Sequence, residues 1–558
     1  MRDTGGSRSS IIGLLLSVGF IGVLLAAGAF LLFGRGADTP VVSVATDGAS
    51  ATAAPAATEG LVAAAEAPRF TGLPATYTPT NNVFEIELSE YAGYAGLIVA
   101  NGGLAPNPES VFAKKHGFQV SIKLSEEEAS GRLLEGKLAA TATTVDVLAV
   151  YGRQYSAQVP VQIGFSRGAD GLVVRKGIKR LNDLRGKIVV AAQYNESEFL
   201  LRYLAQEAGI PVKVLADPSE AVGDAIGLVY AEDAFAAGDA FLADVANADG
   251  RLAGCVTWEP KTGEVVQAAA GKADVLVTNR NLLVVADVLV VNRGLAEANP
   301  ALVRGLVEGI LEGNDRVRRD PTASLDVIAK AFGWSPNQVT AELQKVHLSN
   351  LPENRAFLAG EVDMAGSFAG IFQSAVYAYG RDVVKDPASP ASYVSTAALE
   401  AIAADGLFAD QRAALEPVRT GATGTVESDP LLSKDIRFLF EPNSSILDMK
   451  DPENLADLKA IRRLLDVSPG STVLLRGHVD NARKAEFTAQ GGEPFVRKMA
   501  LKAVKLSEER ASEIEQRLVE VEKADDKRVE TVGVGWDEPG GTDPEKNRRV
   551  EVQWFTIE

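Results

Sequence analysis

The sequence predicts an α/β protein with mostly parallel sheets, set between an amino-terminal membrane-spanning helix and a smaller α+β domain at the carboxyl end. Three observations carry this. From about residue 81 to 380, short apolar runs alternate with helical patterns, the order that builds sheets covered by helices. Residues 11–33 form an uncharged apolar run. After residue 430 a separate block of strand and helix patterns appears.

The apolar run comes first. It is 23 residues long, with Arg2 and Arg8 before it and Arg35 after it. A bilayer core needs about 20 helical residues, whereas the apolar part of a cleavable signal is only about 7–15 long. The small residues 27–29 (AGA) imitate a cleavage site, yet 30–33 (FLLF) continue the run beyond it, and there is no lipobox cysteine. The expectation is an uncleaved inner-membrane anchor over 11–33, a cytoplasmic tail over 1–10 and the acidic bulk in the periplasm. Residues 34–80 are rich in Ala, Thr, Pro and Gly, with the low-complexity string ATAAPAAT at 51–58, and predict a flexible linker.

Length and charge then bound what the rest does. The chain's 558 residues allow about two to four domains. A net charge of −18 repels nucleic acid, so no nucleic-acid partner is expected. The single cysteine, Cys255, permits no internal disulfide, and the three histidines, His116, His347 and His478, lie far apart. No metal site or cofactor is expected from this spacing. Gly164-Phe-Ser166-Arg-Gly168 imitates a nucleophile elbow. The residues after it read as a strand rather than the helix an elbow requires, so no catalytic residue is assigned.

In the middle of the chain, 84–88 (FEIEL), 145–150 (VDVLAV), 171–174 (GLVV), 187–192 (KIVVAA) and 286–291 (ADVLVV) read as strands. Residues 198–204 and 301–307 read as helices between them. The strings DGLVVRKGI at 170–178 and LNDLRGKIVV at 181–190, VTWEP at 256–260, DVLVVN at 287–292 before NPALV at 299–303, and YAGY at 91–94 occur in this order. Together they resemble periplasmic solute-binding proteins of the nitrate/sulfonate/taurine type, a group that also includes thiamine-precursor binders. The resemblance implies a two-lobed substrate-binding module of the kind that serves ABC transporters, over 81–380. Lobe one would be 81–165 and 275–380, lobe two 166–274, with a small solute between them.

Ligands in open α/β sheets sit beyond the carboxyl ends of strands. Gln193, Tyr194, Asn195 and Ser197 lie between the strand 187–192 and the helix after it, where free backbone N–H groups would meet an oxyanion or be capped by Asn195. Tyr94, Trp258 and Glu259 carry over from the resemblance, Glu259 with a structural hinge role as its alternative. Glu90, Asp146, Glu196 and Glu259 fall near the same place. A sulfonate site would use cations or N–H donors, so these carboxylates point to a cationic or heteroaromatic ligand, or to a pocket no longer used for transport.

A connector spans 381–430, with a helix near 396–402. In the block 431–558, residues 435–440, 472–475, 529–534 and 549–554 read as strands, 453–465 as a helix, and a second helix opens at Leu506. The strings FLFEPNSSIL, Gly477-His-Val-Asp480, Leu506-Ser-Glu-Glu-Arg510-Ala and Asn547-Arg-Arg-Val-Glu551 resemble the OmpA-like peptidoglycan-binding domain. The resemblance implies that Asp480 and Arg510 grip the diaminopimelate of the wall's peptide stem, supported by Asn547 and Arg548. On a helical wheel Arg510 falls within the apolar arc of Leu506, Ile514, Leu518 and Val521, where a charge needs an anionic partner. Val479, where the family usually has threonine, and Ala503, where it usually has asparagine, depart from the pattern. So does a longer gap holding Gly491, Gly492 and Pro494.

The sequence thus predicts a non-catalytic envelope protein that binds peptidoglycan and a small solute, with an inner-membrane transporter or other membrane complex as a possible partner. The alternative is a stator-like tether between membrane and wall, in which the solute-binding fold is a spacer or docking body.

Overall fold

The structure is a computed structural model that describes residues 60–125, 129–360, 366–413, 415, 429–441 and 444–556. The expected anchor over 11–33 and the linker as far as residue 59 lie outside the described residues. Among the described residues no helix is long and apolar enough to cross a membrane.

The chain is mixed α/β and builds three sheets. In chain order the strands are β1 Leu61–Val62, β2 Val83–Leu88, β3 Gln119–Leu124, β4 Ala140–Thr144, β5 Ala157–Ser166, β6 Asp170–Arg175, β7 Ile188–Ala192, β8 Val212–Val214, β9 Ile226–Ala231, β10 Leu252–Trp258, β11 Ala273–Thr278, β12 Ala286–Asn292, β13 Val346–Leu348, β14 Leu432–Ile436, β15 Thr472–His478, β16 Val529–Gly535 and β17 Val550–Phe555. One sheet runs β13-β5-β12-β4-β2-β3, and a second runs β1-β9-β7-β10-β6-β11 with β8 beside β9. The chain passes between these sheets from β5 to β6 and returns from β11 to β12. Each sheet with its helices is called a lobe below.

The sheets are not mostly parallel. The pairs β2–β3, β2–β4, β7–β9, β7–β10 and β8–β9 are parallel. However, β12 is antiparallel to β4 and β5, and β6 to β10 and β11. The strands that cross between lobes enter each sheet from the opposite direction, which periodicity alone does not reveal. A second reading also fails. Residues 145–150 are a helix, Val145–Tyr151, buried on every side. A helix without a polar face looks like a buried strand in sequence.

Residues 60–80 are packed rather than free. β1 pairs antiparallel with the end of β9 in the second lobe. Phe70 stacks on Tyr151 of the first lobe with ring centroids 4.7 Å apart. Tyr77 is buried there, its N–H donating to Asn292. This end of the presumed linker therefore straps one lobe to the other. The aromatic rings that anchor it, Phe70 and Tyr77, are ones its low-complexity neighbours lack.

The third sheet runs β14-β17-β15-β16, with β15 parallel to β16 and β17 antiparallel to β14 and β15. The alternation at 435–440 is real, since Ile436 and Phe438 are buried and Arg437 and Leu439 exposed, but the ladder stops at Ile436. The second helix does not open at Leu506. It runs Lys484–Glu520 with non-helical Gly491 and Gly492 inside it. The long gap noted in the sequence is thus a helical extension. Its Phe487, Val496 and Ala503 pack on Trp536, which accounts for an apolar residue at 503.

Candidate functional site

The carboxyl-terminal domain brings its motifs together around one groove. Gly477 ends β15 close against the helix Lys484–Glu520, and a Cβ there would lie 2.1 Å from the carbonyl oxygen of Ser507. Only glycine allows that approach. Ser507 is fully buried, accepts from the Gly535 N–H at 2.9 Å and donates to the Val504 carbonyl at 2.8 Å. The glycine and serine of the two motifs therefore seat the helix on the sheet, and that seating fixes where Arg510 emerges.

Arg510 flanks the buried stripe of Ala503, Ser507, Ala511, Ile514 and Leu518. Val521, used on the wheel, is exposed past the last turn. The guanidinium carbon of Arg510 stands 4.7 Å from the ring centroid of Phe440, within cation–π range. Its Nε is buried without a hydrogen-bond partner among the described residues. Burial, then repulsion from Arg548, lowers its pKa, and attraction to Asp480 opposes this. Asp480 does not pair with Arg510. The Nε of Arg548 donates to it at 2.8 Å, and it accepts from the Ala482 N–H at 3.1 Å. Burial pushes the Asp480 carboxyl up, but the bonds to Arg548 and Ala482 outweigh it and hold the pKa below normal.

A cavity of about 180 Å³ opens here, lined by Phe440, His478, Arg510, Arg548 and Arg549 among others. Asn547 is not at its surface. It is buried and its Nδ2 donates to the Gly541 carbonyl at 3.0 Å, holding the preceding loop. Phe440, His478 and Arg549 were missed in the sequence, although each lies inside or beside a motif. A half-buried guanidinium with an unmet donor, beside a second arginine and an anchored carboxylate, can take a carboxylate by bidentate hydrogen bonds and an ammonium at Asp480.

In the two-lobed part the predicted residues divide. Asn195 caps the helix Glu196–Glu207, accepting from the Ser197 and Glu198 N–H groups. Gln193 exchanges hydrogen bonds with the backbone of Ala65 at 2.7 and 3.0 Å, and the Tyr194 hydroxyl donates to the Ala65 carbonyl at 2.9 Å. The strap therefore occupies both. Trp258 packs on Phe235 of its own lobe. Glu259 accepts from the Gly263 N–H at 3.1 Å and meets Lys345 of the other lobe at 3.4 Å, a bridge at the crossover. Glu90 accepts from Trp334. Ser166 of the elbow-like string donates to Asp170 at 2.5 Å.

Ser197 is buried with its hydroxyl unpartnered among the described residues. Tyr94, Asp146 and Glu196 do converge, and they meet two carboxylates not singled out before. Tyr94 donates to Asp287 of β12 at 3.2 Å. Asp170 opens β6 and accepts from Ser166 and Asn279. The charge of Asp170 acts on Asp146, Glu196 and Asp287, and that of Asp146 on Glu196 and Asp287. Burial, the largest cause, raises Asp146 to about 7 and Asp170 to about 6 and lifts Glu196 and Asp287 well above the carboxylate range. The signal for Asp287 was present: an aspartate inside the apolar string ADVLVV is not a surface charge.

No curated protein matches the chain. Among solved structures it is similar to the periplasmic aliphatic sulphonate binding protein SsuA from Escherichia coli, at 17% identity over 57% of this chain and 92% of that one, with a TM-score of 0.41. It is also similar to the alkanesulfonate-binding protein SsuA from Xanthomonas axonopodis pv. citri, at 13% over 57% and 99%, TM-score 0.41. A third is the periplasmic nitrate-binding protein NrtA from Synechocystis PCC 6803, at 11% over 61% and 91%, TM-score 0.41. Residues 439–553 match the OmpA family, and the carboxyl-terminal part of the chain is an OmpA family domain.

Proposed function

We propose that this is a non-catalytic cell-envelope protein that grips the peptide stem of peptidoglycan through its carboxyl-terminal domain and carries a solute-binding module toward the membrane. The observation that carries the wall-binding half is Arg510, whose guanidinium rests on Phe440 with a buried, unmet donor beside the Arg548–Asp480 pair. Leaving a cation so placed without an anion is costly, and a stem-peptide carboxylate relieves that cost. Asp480 then faces the ammonium of a zwitterionic amino-acid end, with Arg548 neutralising its second oxygen. Sacculus pull-down tests this. Arg510→Ala and Asp480→Ala are expected to lose retention while keeping the wild-type circular dichroism spectrum, and free diaminopimelate is expected to compete. Full retention by both variants would overturn the assignment.

The solute-binding half rests on the carboxylate and tyrosine cluster between the lobes. One observation favours a different role, a docking body in a membrane-to-wall tether: the strap uses Gln193 and Tyr194 for itself. A small-molecule affinity in the full chain decides between them. The expected anchor over 11–33 would fix the protein in the inner membrane with its bulk in the periplasm, where a transporter could receive the solute.

A further inference from the structure

The space between the lobes is built for the opposite charge from an oxyanion. Asp146 and Asp287 approach it from one lobe, beyond β4 and at the start of β12, and Asp170 and Glu196 from the other, at the start of β6 and beyond β7. Asp146 is fully buried, and neither of its oxygens makes a well-formed hydrogen bond. The outer oxygen of Asp287 is in the same state, as are the buried hydroxyls of Thr144 and Ser197. Glu196 keeps partial solvent access. The nearby cation Arg202 is already committed to Glu198, at 2.7 Å. Ionising several buried carboxyls that feel one another's charge is costly without a cation beside them.

We propose that this space binds a small organic ammonium ion, held by Asp146 and Asp287 on one side and Asp170 and Glu196 on the other. Two observations favour an amine over a metal ion. Among the described residues no three His, Cys, Asp or Glu side chains converge at ligating distance. Tyr91 and Tyr94 stand edge to face against the cluster with centroids 5.3 Å apart, and both feel the charge of Asp287. Aromatic rings beside the carboxylates suit the carbon skeleton of an organic cation, and carboxylates accept its N–H groups in charge-assisted bonds. Bridging carboxylates of both lobes, the ion would also draw the lobes together. The inference rests on the two-lobed part being a solute-binding module and names the class of its solute.

Isothermal titration of the purified full chain with ethylamine, 1,4-diaminobutane, methanesulfonate, nitrate and calcium chloride tests it. An amine is expected to bind and the anions not. Binding should release protons from the cluster, seen as heats that change with the buffer's ionisation enthalpy. Asp146→Asn and Glu196→Gln are each expected to weaken amine binding at least tenfold while leaving sacculus retention intact, which also shows that the variants fold. Binding of an anion or of calcium without an amine would overturn the inference and leave the module's role standing. Binding of none of the five would overturn both. Unchanged amine affinity in both variants would overturn the site.

Discussion

Asp146 occupies a position where ionisation is expensive. Burial lifts its pKa to about 7, and the Thr144 hydroxyl and its own backbone N–H, neither forming a regular hydrogen bond with it, offset only part of the cost. Its folded value lies above its unfolded value of about 3.9, so the folded chain holds an extra proton between those limits. This group therefore subtracts stability as pH rises from about 4 to 7, and the full loss, on the order of 4 kcal/mol, applies above both values. Asp170, Glu196 and Asp287 shift in the same direction. The ligand-free chain is expected to melt several degrees higher at pH 6 than at pH 8, and Asp146→Asn to flatten that dependence and raise the melting point at pH 8. A melting point that rises with pH across this range would contradict the burial argument. Glu551 has the opposite sign. Burial raises it, but His478, Gln553 and Arg476 outweigh that and bring it to about 2, so its contribution persists throughout this window. At Arg510 the chemistry asks for a fork and not only a charge. Arg510→Lys should keep the cation yet weaken retention on sacculi about tenfold or more, because one ammonium cannot make the two parallel bonds.

At the level of elements, the sequence exposed most of what periodicity controls. The strands 84–88, 171–174 and 286–291 and the helices 198–204 and 301–307 all lie within observed elements of that type. It failed where periodicity is mute: the all-buried helix Val145–Tyr151, the direction of the crossover strands, and the helical extension before Leu506. That Asp480, Arg510 and Arg548 gather around one carboxyl-terminal groove was foreshadowed in the sequence because the motifs are local strings. That Arg548 and not Arg510 holds Asp480 was not, because pairing depends on how the helix seats on Gly477. Between the lobes, Asp146 and Glu196 were visible as acids near strand ends, whereas Asp170 and Asp287 join them only through the two crossovers. The strap was misread because alanine and threonine dominate its neighbourhood. Its amino-terminal half is held by β1 on β9, by Phe70 on Tyr151 and Tyr155 and by the Ala65 backbone on Gln193. Phe70→Ala should remove about 1.5 kcal/mol of local stability and speed amide exchange at residues 61–65 roughly tenfold. Exchange at β9 beyond its edge should be unchanged. Equal acceleration throughout the second lobe would mean the strap supports the lobe rather than spanning it.

At the scale of the molecule, the described residues join the carboxyl-terminal domain to the second lobe and to the crossover. The Asn182 Nδ2 donates to the Ser433 carbonyl and its Oδ1 accepts from the Ser433 N–H, both at 2.8 Å. The Leu181 N–H donates to the Leu431 carbonyl at 2.9 Å, and the Leu283 N–H, between β11 and β12, to the Val467 carbonyl at 2.8 Å. Arg463 of the helix Pro452–Val467 reaches Glu207 at 2.8 Å, with Glu207 almost wholly buried and Arg463 about one-third exposed. Burial raises the Glu207 pKa, and Arg463 is the main charge opposing it. Such a pair adds little net stability over an apolar replacement, yet removing one partner strands the other. Arg463→Ala is therefore expected to cost roughly 2–4 kcal/mol, whereas Arg463→Ala with Glu207→Leu should recover most of it. In calorimetry the wild-type chain should unfold the carboxyl-terminal domain and second lobe together. The single variant should separate them into two transitions, because the other contacts named are single hydrogen bonds at Ser433, Leu431 and Val467. If the single variant melts as one transition with the wild-type midpoint, the docking does not depend on this pair and rests on the hydrogen bonds at Ser433, Leu431 and Val467.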